Sequence, residues 1–461
     1  MKSLSGAVVI LTMAAVVHPL ARAAEPPPPE AAAPTTPETP HALAADAPAH
    51  APAPPVSEVK PATDPATPEP TAEELEALKK ALGADQAATP SAPASGAQGG
   101  AGNWSFNYSS AQNQAAQMLQ SMNPEMALIA DVAGAWFSSD DNLQLGGHDP
   151  KKTGFTLQQL EMSLGASVDP FFRLDSNIVF AQFGVEVEEA YATTLALPFN
   201  LQMRFGQFLT RIGRQNNTHP HSWKFVDQPL VHGKFFGSEN NRGLGLETSW
   251  LVPLPWYVEL VGSATDSVGD CCARSYLGGS GLTIAGPQDV LATAALKQFF
   301  PFSNDLSLLW GLSLQGGPNA SGQGNRTEIY ATDVYLRYRP VNDPGRGSLN
   351  LTAEGFHRRR QVPGAVLADA GYYAQLVGQF ALQYELGVRA EGVSGVADDP
   401  LDPTWTGFAQ RYSLQASYYP SHFSRLRAQA GVTLPPDGRD PIWSAIVALE
   451  VLIGAHGAHT F

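Results

Sequence analysis

The chain has 461 residues, a net charge of −15 and two cysteines. Two cysteines cannot staple a chain of this length, so a small disulfide-built secreted scaffold is excluded. The acidic balance offers no basic face, which excludes nucleic acid as a partner.

Residues 1–23 read as a signal peptide: Lys2, an apolar run from Ala7 to Val17, and an Ala21-Arg22-Ala23 cleavage site. That run is 11 residues long, whereas a bilayer-spanning helix needs about 20. No later stretch is apolar enough for such a helix. The mature chain is therefore expected to be either soluble in an exported compartment or a membrane barrel.

Residues 24–122 read as a low-complexity periplasmic segment, dominated up to residue 70 by Ala, Pro, Thr and Glu. Such a composition buries too little apolar surface to offset the entropy of ordering, so disorder is expected. One short helix is predicted over 71–83, with a Thr71/Glu74 capping box, Leu75, Leu78 and Leu82 on one face, and Gly83 at its end.

The pattern changes at Asn123-Pro124, and 123–461 reads as an all-β transmembrane antiparallel barrel. Apolar residues recur at every second position, as on a strand with one apolar face. Leu160, Met162 and Leu164 alternate with Glu161 and Ser163; Tyr384, Leu386 and Val388 alternate with Glu385 and Arg389. Counting from Met126 gives 16 strands. Connections after even-numbered strands are short, such as Asp169-Pro170-Phe171 and Pro198-Phe199. Most after odd-numbered strands are longer: 138–153, 210–240, 266–287, 317–326, 358–369, 394–406 and 434–440. Short turns on one side, long loops on the other and an even strand number are the layout of an outer-membrane barrel. Trp136, Phe137, Trp250, Trp256, Tyr257, Phe299, Phe300, Tyr418 and Tyr419 suit interfacial girdles. Phe461 shares the parity of the last strand's apolar face, which suits an assembly signal for the barrel-assembly machinery.

The loop 210–240 is the longest and the third on its side, so it is the candidate constriction. From Arg204 to Arg242 the bases Arg204, Arg211, Arg214, Lys224, Lys234 and Arg242 outnumber the acids Asp227 and Glu239, a local net of +4. Charges lining a narrow pore select by sign, so small hydrophilic and anionic solutes are expected to pass; a solvated surface loop is the alternative. Parity places Glu161, Asp175, Glu186 and Glu188 inward on early strands, and Arg337, Arg339, Arg389, Arg411, Arg425 and Arg427 inward on later ones. That is either a transverse field or a set of structural ion pairs.

His219, His221 and His232 in the same loop raise a zinc or copper site, because imidazole suits both. The adjacent pair Cys271-Cys272 is expected unbridged, since a disulfide wants Cα atoms farther apart than one peptide step; a strained redox pair or a soft metal site are the alternatives. No serine–histidine pair lies in a nucleophile motif, so no enzyme is expected.

Several segments carry a resemblance: Asn123-Pro124, Val185–Tyr191 (VEVEEAY), Arg204, Gly206 and Phe208, Gly213-Arg214, Asn217, His219, His221, Asp227–Leu230, Phe235–Gly237 and the tail 454–461 (GAHGAHTF). The chain resembles a group of outer-membrane barrels often labelled zinc-regulated TonB-dependent receptors or porin-like proteins. The likeness covers roughly the whole barrel. The label implies zinc import. TonB-dependent transporters, however, use about 22 strands and a folded plug, whereas 336 residues remain here from Met126 to the end. In size the barrel is similar to the phosphate-selective porins, without an inward lysine ladder in its early strands. The expectation is an outer-membrane porin in contact with lipid, a homotrimer, with a zinc or other divalent-metal receptor and a plugged adhesin as rivals.

Overall fold

The computed structural model describes residues 124–454, apart from 182–183, 267, 270, 279, 283, 285, 323 and 343–346. The expected signal peptide, the 24–122 segment with its 71–83 helix, and Phe461 lie outside the described residues.

Sixteen antiparallel strands close into one barrel, each paired with its sequence neighbours. They are β1 (Glu125–Phe137), β2 (Gly154–Ser167), β3 (Phe172–Ala181), β4 (Gly184–Thr194), β5 (Leu201–Leu209), β6 (Arg242–Leu251), β7 (Tyr257–Thr265) and β8 (Leu291–Pro301) in the first half. The second half holds β9 (Leu306–Pro318), β10 (Arg326–Tyr338), β11 (Ser348–Val362), β12 (Ala365–Phe380), β13 (Tyr384–Ser394), β14 (Phe408–Ser421), β15 (Ser424–Leu434) and β16 (Ile442–Gly454). Closure comes from β1 pairing with β16, from Ala127 opposite Gly454 to Phe137 opposite Ser444. It leaves no edge strand, so the ladder satisfies backbone polar groups that lipid cannot.

The period-2 pattern decides which way each side chain points. On β14, Arg411, Ser413, Gln415 and Ser417 are buried inside, while Tyr412, Leu414 and Tyr418 are exposed outside. The outward set around the barrel is a lipid-facing belt that includes Leu128, Leu312, Leu386, Val447 and Leu449, and the architecture is that of an outer-membrane barrel. Trp136, Trp250 and Tyr418 stand exposed near strand ends, as girdle residues do. Phe137 and Tyr419, both expected in the girdles, turn inward instead. Phe137 is buried against Val226 in a small internal cluster, and Tyr419 donates from its hydroxyl to Glu385 at 2.8 Å.

Two further expectations are corrected. The segment 358–369 is not a loop: β11 and β12 run through it and meet at a turn of residues 363 and 364. Inward Arg358, Arg360 and Asp369 are thereby carried above the belt, where they bind partners in the loops. Cys271 and Cys272 are joined in a disulfide across a Cα separation of 3.8 Å, in the loop between β7 and β8.

Leu414 is 62% exposed near the middle of β14, so Leu414→Arg should weaken folding into lipid vesicles by about 2–4 kcal/mol. A folding titration in urea that shows no loss would mean that this position does not face the bilayer core.

Candidate functional site

The segment between β5 and β6 turns into the barrel and crosses it. Leaving β5, the chain turns at Gly213, whose φ of +66° favours glycine. A β-carbon there would sit 2.2 Å from a Glu354 carboxylate oxygen. That close approach lets the backbone N–H groups of Arg214 and Gln215 donate to Glu354 at 3.0 and 2.8 Å. Farther on, the Val226 N–H donates to Gln429 at 2.8 Å, and the Leu230 N–H donates to Glu391 at 2.6 Å. A short helix, α1 (Leu230–Phe235), follows. Its Leu230, Val231 and Phe235, with Phe236, are buried against Ile329, Phe356, Tyr373, Val393, Tyr276 and Trp405. This apolar core lies inside the barrel, between the loop, the wall and neighbouring loops. Loop 138–153 also packs on the crossing segment, where Asp149 accepts from the Gln228 N–H at 2.9 Å. In the β7–β8 loop, Ser275 donates to the Phe235 carbonyl at 2.5 Å.

The six cationic side chains of the expected eyelet mostly meet carboxylates. Arg204 contacts Glu247 at 2.7 Å. Arg211 reaches Glu247 at 3.1 Å and Glu259 at 2.6 Å. Lys224 pairs with Glu385 at 2.7 Å, and Arg242 pairs with Glu186. Lys234 is fully buried, bonded to Asp369 at 2.6 Å. Arg214 differs: its guanidinium lies 4.1 Å from the Tyr335 ring centre. The expected lining residues are paired in the same way. Asp175 binds Arg173 at 2.8 Å, Arg425 binds Glu450 at 2.5 Å, and Arg427 binds Asp131 at 2.7 Å. Arg337 is half-buried, and Arg339 lies exposed just beyond the end of β10.

The expected histidine trio divides. His232 sits in α1 among Phe236, Phe356 and Tyr373, with ring centres 5.3 to 5.9 Å away. His219 and His221 stack on each other with ring centres 5.8 Å apart, and they face the opposite acids. His219 Nδ1 lies 2.9 Å from Glu188 and its Nε2 lies 2.9 Å from Glu189. His221 Nδ1 lies 2.9 Å from Glu161. His148, from loop 138–153, joins with its Nε2 3.1 Å from Glu188 and 2.8 Å from Glu239. Burial alone would lower the His219 pKa; Glu161, Glu188 and Glu189 outweigh it and hold it well above the ordinary imidazole range.

Strict alternation does not produce this cluster, because it would send Glu189 into lipid. A bulge does: the β3–β4 register skips at Asn177/Ile178, leaving Glu188 as the extra residue, so Glu188 and Glu189 both turn inward. A second bulge on β2 skips Gln158, and Gln158 and Gln159 are both buried. Gln158 then holds His148, its side-chain amide donating to the His148 carbonyl at 2.8 Å. Sequence reasoning missed Glu189 and His148, and counted Glu239 only among the charges of the loop. The sequence does carry a sign of the bulges, since the doublets Glu188-Glu189 and Gln158-Gln159 break an otherwise alternating pattern.

Asp227 is the most heavily bonded anchor of the crossing loop. It pairs with Arg389, accepts from Arg411 at 2.9 Å and accepts from Gln429 at 2.7 Å, which ties the loop to β13, β14 and β15. Burial would raise its pKa, but Arg389 and Arg411 overturn that and hold it at about 2. This lies below its ordinary 3.8, so the anchor stabilises fully above about pH 4 and is lost as pH falls through about 2. Pepsin at pH 4 should therefore find the loop protected. Asp227→Ala takes its carboxylate from buried Arg411 and leaves Arg389 with Glu391 alone, which costs about 3–5 kcal/mol for a broken buried pair. Trypsin should then cut at Lys224 or Lys234, with heat-modifiable gel migration retained. Trypsin resistance equal to that of the native chain would show that Asp227 does not hold the loop.

No protein-family model matches the sequence. OprB of Pseudomonas putida has a similar fold, with a TM-score of 0.51, 12% identity, and 74% of this chain and 97% of that one covered. The outer-membrane channel DcaP of Acinetobacter baumannii is similar at a TM-score of 0.49 and 14% identity, over 72% of this chain and 96% of that one. At these identities the likeness concerns the fold alone. The TonB-dependent receptor label is not supported: the barrel has 16 strands, not the 22 or so of those transporters. A protein of Aquifex aeolicus (strain VF5), described only as uncharacterized, is 30% identical over 351 residues, 68% of this chain and 73% of its own length. The chain belongs to the family of that Aquifex aeolicus protein.

Proposed function

We propose that the protein is a porin-type channel for passive diffusion of small hydrophilic solutes across the outer membrane. The observation that carries this reading is the segment between β5 and β6, which crosses the inside of a closed barrel of 16 strands and meets a charged wall. A loop inside the barrel narrows the path, and polar walls along that path suit hydrated solutes. In this reading the barrel-assembly machinery inserts the chain, which associates as a trimer. Because most eyelet cations are matched by carboxylates, the fixed charge favours anions only weakly. Arg214 is the cation of this set held by an aromatic face rather than by a carboxylate.

Purified protein in planar bilayers should give stepwise conductance. Silence at high protein concentration would overturn the channel reading in favour of a plugged barrel. Arg211→Ala with Arg214→Ala removes two positive charges and should move the reversal potential toward cation preference. An unchanged reversal potential would place both residues off the conducting path.

A further inference from the structure

We propose that Glu161, Glu188 and His219, with His221 beside them, bind one divalent transition-metal ion inside the barrel. The proposal stands apart from the channel reading, because it concerns binding and not conduction.

Geometry is the first argument. One ligand atom from each of Glu161, Glu188 and His219 lies within 4.8 Å of the others. From His219 Nδ1, the Glu188 oxygen is 2.9 Å away and Glu161 Oε1 is 3.6 Å away. Tetrahedral ligands on bonds of about 2.0–2.1 Å stand about 3.3–3.4 Å apart, so small side-chain shifts would admit an ion. Glu161 Oε1 supplies an independent sign. It belongs to a fully buried side chain, faces His219 and makes no hydrogen bond among the described residues. A buried carboxylate oxygen without a donor is costly, and a cation removes the cost.

The surrounding shell fits the same role. A metal-binding imidazole usually gives its other N–H to a carboxylate, which fixes the tautomer and aims the free nitrogen at the ion. Glu189 is placed for that at His219 Nε2, 2.9 Å away. His221 Nδ1 meets the other Glu161 oxygen at 2.9 Å. Charge points the same way. Glu161, Glu188, Glu189 and Glu239 outnumber His148, His219 and His221, so the cluster stays negative even with every imidazole protonated. Imidazole and carboxylate together suit zinc, cobalt or nickel better than the all-oxygen shells of calcium or magnesium. Glu161 and Glu188 come from the wall and His219 from the crossing loop, so a bound ion would fasten the loop to β2 and β4.

The experiment uses the full chain in detergent, stripped with a chelator and then given zinc or cobalt(II). Metal retained after gel filtration is counted, and the visible absorption of cobalt reports nitrogen–oxygen coordination. The expected result is one ion per chain with a visible cobalt band. Glu161→Gln, which keeps the side chain's shape, and His219→Ala should each weaken binding about 100-fold. Glu189→Gln, acting through His219, should weaken it about 10–100-fold. Heat-modifiable migration checks folding, and the near-isosteric Glu161→Gln decides the question if His219→Ala does not fold. His456→Ala with His459→Ala should change nothing. Failure to retain metal, or equal retention by Glu161→Gln, or loss only in the His456/His459 variant, would overturn the site and leave the cluster as ion pairs of protonated imidazoles.

Discussion

A charge taken out of water must be paired, and this requirement organises the interior of the barrel. The strands project arginines and carboxylates inward at every second position, because the outward positions are given to lipid. A wide, water-filled interior could hydrate them. Here a loop enters instead and supplies partners: Asp227 for Arg389 and Arg411, Lys224 for Glu385, and Lys234 for Asp369. Backbone groups of the loop serve as well, such as the Trp223 carbonyl that accepts from Arg425 at 2.9 Å. The wall holds the loop, and the loop completes the wall.

The pairing also explains why the loop needs its neighbours. Above α1, Arg358 is buried between Asp369 and Asp402, at 2.6 and 2.8 Å, and Asp402 belongs to the loop between β13 and β14. Arg274, from the loop between β7 and β8, reaches the same Asp402 at 2.9 Å. Several loops therefore share one set of charges over the apolar core built by Phe235 and Phe236. Deleting one partner would strand others, so this region is expected to behave as a unit.

Much of the barrel was legible in the sequence because its signal is local. Alternation such as Tyr384–Ala390 needs only neighbouring residues to be read, and so do short turns like Asp169–Phe171. Less local features were not legible. Arg358 to Asp369 carries charged residues that read as a loop, yet strand pairing continues through it, because those charges find partners in distant loops. Phe137 and Tyr419 look like girdle residues, yet an internal cluster and Glu385 draw them inward. The length and charge of the loop 210–240 could be counted, but its direction depends on contacts with residues more than a hundred positions away. The cluster around Glu188 depends on two bulges, and a single extra residue reverses which face a side chain takes. Grouping His219, His221 and His232 by sequence proximity fails for the same reason, since α1 carries His232 to the other side of the crossing segment and against Glu354, 3.8 Å away.

The central claim is that the segment between β5 and β6 occupies the inside of the barrel and sets its effective width. Single-channel conductance tests it directly in a chain whose residues 215–237 are replaced by a short Gly-Ser link. The wall is held by its backbone ladder, so this chain should still assemble. Its conductance should rise several-fold over that of the intact chain as the interior opens. Conductance equal to that of the intact chain, from a barrel shown to be folded, would contradict the account.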